Sequence, residues 1–204
     1  MKRSTFSINE AMVITDLLRQ EQDISKDKLK AIERIHGVLV SIKNVGVLII
    51  GKSGIGKSEC ALELITRHHK LVADDLVIVT LRNGELWGES DALIKGYMEL
   101  HGLGVIKVQA HYGRRALINK KRIDIVIEFI DWQGAIPGRG FLKPYTYNIL
   151  GKTLPLIKLP VRPARNMALL VEVAVSSFLL RRAGINEGEE LEKKILKRIA
   201  STHG

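Results

Sequence analysis

Residues 51–58 carry the pattern in this chain that is most directly tied to chemistry. They read GKSGIGKS and match the phosphate-binding loop G-x-x-x-x-G-K-[ST]. The glycines let the backbone turn tightly and bring its N–H groups close to a phosphate chain. The lysine adds a positive charge for the phosphates, and the last serine offers a hydroxyl to Mg²⁺. The pattern predicts nucleotide binding by Gly51, Lys52, Ser53, Gly54, Ile55, Gly56, Lys57 and Ser58.

The residues on both sides of this loop fit the strand and the helix that such a loop requires. Before it, VGVLII at 45–50 is an apolar run with the β-branched bias of a buried strand. After it, Cys60, Ala61, Leu64 and Ile65 recur at helical spacing. This order favours a phosphate site over a glycine-rich turn that binds nothing. It also makes Cys60 a small core thiol rather than a nucleophile.

The apolar run KLVADDLVIV predicts a buried strand, which two adjacent carboxylates, Asp74 and Asp75, interrupt. Neighbouring residues of a strand point to opposite faces, so the two acids are expected to have different roles. A buried carboxylate without a partner is costly, which favours a metal, a cation or a shifted pKa nearby. Phosphoryl transfer to a hydroxyl needs a base and an acid that supports the metal, and this pair supplies the first candidates. The alternative is a solvated strand end.

Five further residues carry weaker signals. Glu99 lies among apolar residues and glycines in MELHGLGVIKV and could reach the metal. His36 gains a catalytic role only if the fold places it beside the acidic pair. Arg162 and Arg165 flank a proline where a helix is expected to begin, which suits an anion. Arg139 lies between glycines, from which it could close on a transferring phosphoryl group. Ordinary structural roles remain the alternative for each of them.

The elements that must position these residues alternate less regularly than in a doubly wound sheet. Helices are predicted within 8–34, a strand, turn and strand over 37–50, and a hairpin at Asn83-Gly84. The other expected elements are a short helix from Ser90 or Asp91 to Tyr97, strands at 105–108, 115–119, 123–130, 147–150 and 153–159, a loop over 131–146, and helices over 166–182 (with Gly184 after it) and 187–201.

These elements predict an α/β fold with a P-loop nucleotide-binding core, a hairpin-rich mixed sheet and C-terminal helices. An N-terminal helical segment is expected at 1–34 and a catalytic domain at 35–204.

The composition of the chain favours a single-domain protein without disulfides or membrane-spanning segments. The chain has 204 residues, a net charge of +10, 46% hydrophobic residues and one cysteine. This suits one domain with a sufficient core, excludes an internal disulfide and fits a reducing cytoplasmic compartment. No apolar stretch reaches membrane-spanning length, so no membrane is expected. The basic charge favours anionic partners, but it lies in separate islands with few aromatic residues, so nucleic acid is not expected.

Five segments together resemble the catalytic domain of bacterial HPr kinase/phosphorylase. They are HGVLVSI, GVLIIGKSGIGKSECALEL, LVADD, MELHGLGVIKV and LPVRPARNMALLVEVA. The resemblance implies an enzyme that uses ATP and Mg²⁺ to phosphorylate a serine of HPr, the phosphocarrier of the sugar phosphotransferase system. It implies the reverse reaction too, with inorganic phosphate as co-substrate, and a role in regulating carbohydrate metabolism. It further implies a core similar to phosphoenolpyruvate carboxykinase and a homo-hexamer.

The resemblance also implies roles for the acidic pair and its neighbours. Asp75 corresponds to the carboxylate that accepts the proton in phosphorylation and returns it in the reverse reaction, with Asp74 assisting. His36 and Lys57 correspond to active-site residues.

Further positions correspond to the metal site and to the reverse reaction. Ser58 and Glu99 match the magnesium ligands. Residues 98–107 match a stretch important in both directions, and residues 160–165 match one tied to dephosphorylation. Arg139 is the best match for a later catalytic arginine, with a one-residue difference in length.

Three positions depart from the family's pattern. Lys52 stands where an acidic residue is usual, His101 replaces a common arginine, and Ala164 replaces a common glycine. Two other functions stay open at this point: a kinase of a small metabolite, and a nucleotide-sensing regulator that binds nucleic acid. The acidic residues that suit phosphoryl transfer argue against the regulator.

Overall fold

The computed structural model describes residues 32–131 and 145–202, which form a mixed α/β fold. Its strands are β1 (Ile32–His36), β2 (Val38–Ile42), β3 (Val45–Gly51), β4 (Lys70–Ala73), β5 (Leu76–Arg82), β6 (Glu85–Ser90), β7 (Tyr97–Leu100), β8 (Gly104–Lys107), β9 (Lys120–Arg122), β10 (Ile125–Asp131), β11 (Tyr145–Ile149) and β12 (Lys152–Val161). Its helices are α1 (Lys57–Thr66), α2 (Val108–Tyr112), α3 (Met167–Arg182) and α4 (Glu187–Thr202), with a 3-10 turn at Arg114–Ala116.

The chain divides into two units after Ile32, and the second unit begins at Glu33. A six-stranded mixed sheet, in the order β11-β12-β10-β3-β2-β4, lies at its centre. Strands β3, β10 and β12 are parallel, whereas β2 and β11 run antiparallel to their neighbours. Parallel strands end at the same edge of a sheet. The phosphate loop after β3, Asp131 at the end of β10 and the arginines after β12 therefore leave the sheet on one side.

Both faces of this sheet are covered, which explains the continuous apolar run of β3. Val47 and Ile49 face one core, which contains the buried side chains of α1 and α3. Leu48 and Ile50 face the other core, against the four-stranded sheet β1-β5-β6-β9. Each fully buried aliphatic side chain contributes roughly 1.5–3 kcal/mol of hydrophobic stabilisation. The sheet is thus a rigid platform for the loop at its edge.

Several predicted elements are confirmed. The hairpin at Asn83-Gly84 joins β5 to β6, with positive φ angles of 51° and 76° at these two residues. Strands β8, β10, β11 and β12 lie where strands were expected, and α3 and α4 match the two C-terminal helices. Gly184 has a φ of 85°, and its N–H donates to Arg181 O, as a residue that ends a helix should.

The prediction of one strand through KLVADDLVIV is wrong. The chain leaves the six-stranded sheet after β4 and enters the four-stranded sheet at β5, so Asp74 and Asp75 form the bend between them. Asp75 has a left-handed φ of 66°, which no strand accommodates. The bend is fixed because Gly37 N donates to Asp75 O at 3.0 Å. The two acids have different surroundings, but not because they lie on opposite faces of a strand.

Two other local predictions are wrong. No helix forms from Ser90 or Asp91 to Tyr97. Asp91 Oδ1 instead accepts from Leu93 N at 2.9 Å, and Gly96, with a φ of 76°, turns the chain into β7. The strand expected at 115–119 is also absent: a 3-10 turn covers its start, and within this range only Leu117 pairs, in an isolated parallel bridge with Leu71.

The predictions for the N-terminal segment and for the long loop fall mostly on residues that are not described. Residues 1–31 and 132–144 lie outside the described ranges, and the domain boundary at 34/35 stays a prediction. Residues 32–34 belong to β1, so the helix expected to reach Arg34 is wrong at its end. No helix within residues 32–131 and 145–202 is long and apolar enough to cross a bilayer.

Candidate active site

The phosphate loop lies between β3 and α1, as its pattern requires. Gly51, Gly54 and Gly56 have positive φ angles of 147°, 73° and 97°. At Gly51 the reason is also steric, because a Cβ there would lie 2.6 Å from Phe129 O on the neighbouring strand. Within the described part of the chain, no side chain caps the first turn of α1. Its N–H groups and the positive end of its dipole are therefore available to an anion.

Lys57 points back into the loop and is only 6% exposed. Its ammonium donates to Gly51 O and Lys52 O, both at 2.9 Å, and lies 3.3 Å from His36 Nε2. Three donors thus have three partners. Burial lowers the pKa of Lys57, while the charges of Asp75 and then Asp74 act in the opposite direction. The lysine is held in place before any phosphate arrives.

His36 connects this lysine to Asp75. A charged lysine can only donate, so His36 Nε2 accepts from it and the neutral ring carries its proton on Nδ1. Nδ1 lies 3.0 Å from Asp75 Oδ1 and donates to it. Both side chains are more than half exposed, so Asp75 can be reached by another molecule. The condition set by the sequence, that the histidine lies beside the acidic pair, is met at Asp75.

Asp74, unlike Asp75, is buried, with only 4% of it exposed. Its carboxylate accepts from Ser58 Oγ at 2.9 Å and from the backbone N–H of Glu99 at 3.4 Å. Burial is the main cause that raises the pKa of Asp74 to about 6, and these two hydrogen bonds act in the opposite direction. Asp74 therefore fixes the Ser58 hydroxyl and the Glu99 backbone relative to each other.

These residues line one cavity of about 190 Å³. Its lining residues come from the phosphate loop, the first turn of α1, the bend after β4, the end of β1, the start of β2, and strand β7 with the residue that follows. They are His36, Val38, Ser53, Gly54, Gly56, Lys57, Ser58, Glu59, Asp74, Asp75, Glu99 and His101. The fold thus brings together residues that are separated by up to 65 positions in the chain.

Other predicted residues lie elsewhere. Arg162 and Arg165 do not line this cavity, and Arg165 donates to Pro160 O at 3.1 Å. Lys52 forms an ion pair with Asp131 at the end of β10. Arg139 is outside the described residues.

Two lining residues, Glu59 and His101, were not predicted as site residues. Glu59 follows the serine of the loop motif, and its carboxylate accepts from His101 N at 3.4 Å. The only signal in the sequence was their adjacency to Ser58 and to Glu99.

The oxygen atoms around Ser58 are suitable ligands for Mg²⁺. Ser58 Oγ donates its proton to Asp74, so an oxygen lone pair remains for a cation. The nearby carboxylates of Asp74 and Glu99 are hard oxygen donors. Among the described residues, no group of three or more His, Cys, Asp or Glu side chains forms a metal site by itself. A magnesium ion that arrives with a nucleotide needs only one or two protein ligands, because phosphates and water supply the others.

Comparison with known proteins gives a consistent result. The family model for the HPr serine kinase C-terminal domain matches residues 27–195. The HPr kinase/phosphorylase of Geobacter sulfurreducens is 45% identical over 176 residues, which cover 85% of this chain and 55% of that protein. The protein of the same name from Chloroherpeton thalassium is 40% identical over 185 residues, covering 88% and 53% of the two chains.

A solved structure agrees with the sequence comparison. The HPr(Ser) kinase/phosphatase from Coxiella burnetii superposes with a TM-score of 0.70 at 32% identity, covering 78% of this chain and 98% of that one. The chain spans about half the length of the first two relatives named above. The family match covers most of the sequence and includes every residue of the cavity. This chain therefore belongs to the family of HPr serine kinase C-terminal domains.

Proposed function

We propose that this chain transfers the γ-phosphoryl group of ATP to a serine of HPr and also catalyses phosphate-dependent removal of that group. The observation that carries the proposal is the hydrogen-bonded series Lys57–His36–Asp75. It joins a phosphate-binding lysine to an exposed carboxylate across one cavity. A kinase needs these two groups side by side, whereas a protein that only binds nucleotide has no use for the carboxylate.

In the forward direction the loop N–H groups and Lys57 hold the β- and γ-phosphates. Asp75 accepts the proton of the serine hydroxyl as its oxygen bonds to the γ-phosphorus and the bond to the β-phosphate oxygen breaks. His36 holds the carboxylate in place through Nδ1. Ser58, Glu99 and Asp74 would hold Mg²⁺, which neutralises charge on the phosphates when bound.

In the reverse direction an oxygen of inorganic phosphate attacks the phosphorus of the seryl-phosphate. Asp75 first takes the proton of the attacking hydrogen phosphate. It then gives this proton to the serine oxygen as the bond from that oxygen to phosphorus breaks and pyrophosphate forms. Arg162 and Arg165 lie after β12, on the edge of the sheet where the phosphate loop also lies. We assign them to anion binding in this direction. Arg162→Ala and Arg165→Ala should therefore slow phosphorolysis more than phosphorylation.

The direct test is incubation with Mg–ATP and purified HPr, followed by intact mass measurement of HPr. The proposal expects a gain of one phosphoryl group, lost again when inorganic phosphate is added. Lys57→Ala should abolish the gain. If the chain instead phosphorylates a small metabolite when no protein substrate is present, and leaves HPr unchanged, it is a metabolite kinase.

Two finer features belong to the same proposal. We propose that the core is similar to phosphoenolpyruvate carboxykinase and that the chain assembles as a hexamer, as the resemblance in sequence implies. Light scattering on the purified protein tests the assembly, and a mass of six chains is expected.

A further inference from the structure

A second cavity, of about 360 Å³, lies away from the phosphate loop and shares no lining residue with the first cavity. It is formed by the β5–β6 turn, β9, the beginning of β12 and the last turns of α3. Strand β12 has ten residues, so its two ends are about 30 Å apart. The second cavity is at the start of this strand, and the arginines assigned to the reverse reaction follow its end.

The acidic side chains of this cavity are already paired. Arg122 donates to Glu85 Oε1 at 2.7 Å and to Asp124 Oδ1 at 2.9 Å. The second oxygen of Asp124 accepts from Gly46 N at 2.8 Å. Arg122 is thus the shared partner of both carboxylates, and these three side chains together carry one net negative charge.

Two further cations line the cavity, and neither forms an ion pair with a described carboxylate. Lys152 lies at the start of β12, and its side chain reaches the β5–β6 turn. Its Nζ lies 3.8 Å from the position that a Cβ at Gly84 would occupy. Arg182 lies in the last turn of α3, with its guanidinium carbon 5.8 Å from the centre of the Phe178 ring. The described lining thus has three cations and two carboxylates, a net charge of +1, and Lys152 and Arg182 are the two cations that no described carboxylate pairs with.

The remaining lining is largely apolar. Leu86 and Ile123 are buried in the core beneath the cavity, and Leu154, Pro155 and Phe178 add apolar surface. A cavity of this size with an apolar floor and a few cations suits a small amphipathic anion. Guanidinium and ammonium groups together match the oxygens of a phosphate group. We propose that this cavity binds a phosphate monoester with a small apolar body, separately from the nucleotide site.

Phenyl phosphate is a suitable probe because it combines a phosphate group with a ring. Amide NMR spectra of the full chain, recorded during titration, separate the two sites. Saturable shifts are expected at Gly84, Leu86 and Thr153, at lower ligand concentration than with inorganic phosphate or with benzyl alcohol. If phenyl phosphate and inorganic phosphate bind with equal affinity at these amides, the apolar lining contributes nothing to binding and the proposal is wrong.

Paired variants test the cations. Lys152→Gln with Arg182→Gln should weaken binding at these amides about tenfold or more, since both charge-assisted contacts are lost. Lys193→Gln with Lys194→Gln, on exposed positions of α4, removes the same charge and should leave the affinity unchanged. Well-dispersed amide spectra of both variants establish that they are folded. Equal weakening in the two pairs, or shifts that do not saturate, would contradict the proposal.

Discussion

Lys57 is held by three acceptors, and any entering phosphate must compete with one of them. The contact with His36 Nε2, at 3.3 Å, is the longest of the three, and it is the one most easily exchanged for a phosphate oxygen. The bond from His36 Nδ1 to Asp75 does not depend on that exchange. At the residue scale, nucleotide binding and proton acceptance are therefore adjacent but separable.

This separation predicts the behaviour of Asp75→Asn. The amide can still accept a hydrogen bond from His36, but it cannot take a proton from a serine. Phosphoryl transfer to HPr should fall about a hundredfold or more, whereas nucleotide affinity should stay nearly unchanged. Steady-state transfer rates and nucleotide titration calorimetry measure the two quantities. Asp91→Asn, a substitution outside the cavity, is the control; near-normal transfer by Asp75→Asn would exclude Asp75 as the base.

The buried Asp74 predicts a pH dependence of stability. Its pKa is raised to about 6, so in acid the folded protein keeps a proton that the unfolded chain releases nearer its ordinary value of 3.8. Folding therefore becomes less favourable as the pH rises from about 4 to about 6. The asparagine of the Asp74→Asn variant does not titrate. As the pH rises over this range, the unfolding free energy of the wild type should therefore fall relative to that of the variant. The expected fall is on the order of 2 kcal/mol.

Urea unfolding at a series of pH values, without nucleotide and with a chelator, measures this difference. The pH trend is the informative quantity, because the substitution also changes hydrogen bonds by an amount that does not depend on pH. A difference that stays constant from about pH 4 to about pH 7 would show that Asp74 titrates normally.

At the element scale, Asn166 joins the helix of the phosphate loop to the helix after β12. Its Oδ1 accepts from Leu169 N at 2.7 Å and caps α3, and its Nδ2 donates to Glu63 Oε1 of α1 at 2.7 Å. Arg67 binds the same Glu63 oxygen and also Glu172 of α3. The turn that carries Arg162 and Arg165 is thus fixed relative to α1.

Asn166→Ala should lower the unfolding free energy by about 1–2 kcal/mol, because a helix cap and a bond between helices are both lost. Chemical denaturation measures the change. Asn119→Ala, at an exposed position, should have almost no effect. A similarly small change for Asn166→Ala would mean that the cap contributes little here.

The sequence predicted elements well where a local signal decides the structure. The β3–loop–α1 unit, the Asn83-Gly84 turn and the Asn166 end of α3 each depend on residues close in the chain. The bend at Asp74 and Asp75 depends instead on which sheet each flanking strand joins, and on the bond from Gly37. No local pattern carries that information. No local pattern predicts the contacts of His36 with Lys57 and Asp75 either, because only folding brings these three residues together.

At the scale of the whole molecule, the net charge of +10 predicts weak and unspecific attraction to nucleic acid. If several surface cations contact phosphates, affinity should fall by orders of magnitude between about 50 and 200 mM salt, equally for unrelated oligonucleotides. Fluorescence anisotropy measures this. Tight, sequence-dependent binding that persists at the higher salt would instead support a nucleic-acid-binding regulator.

The central claim is that the loop at the edge of the sheet holds the phosphates of ATP beside the His36–Asp75 pair. A crystal structure with Mg²⁺ and a non-hydrolysable ATP analogue tests it most directly. We expect Lys57 Nζ to contact the β- and γ-phosphates, Ser58 Oγ to contact the cation, and the Asp75 carboxylate to lie beside the γ-phosphate, accessible to a serine hydroxyl. Nucleotide bound elsewhere, or an Asp75 side chain turned away from the γ-phosphate, would contradict the account.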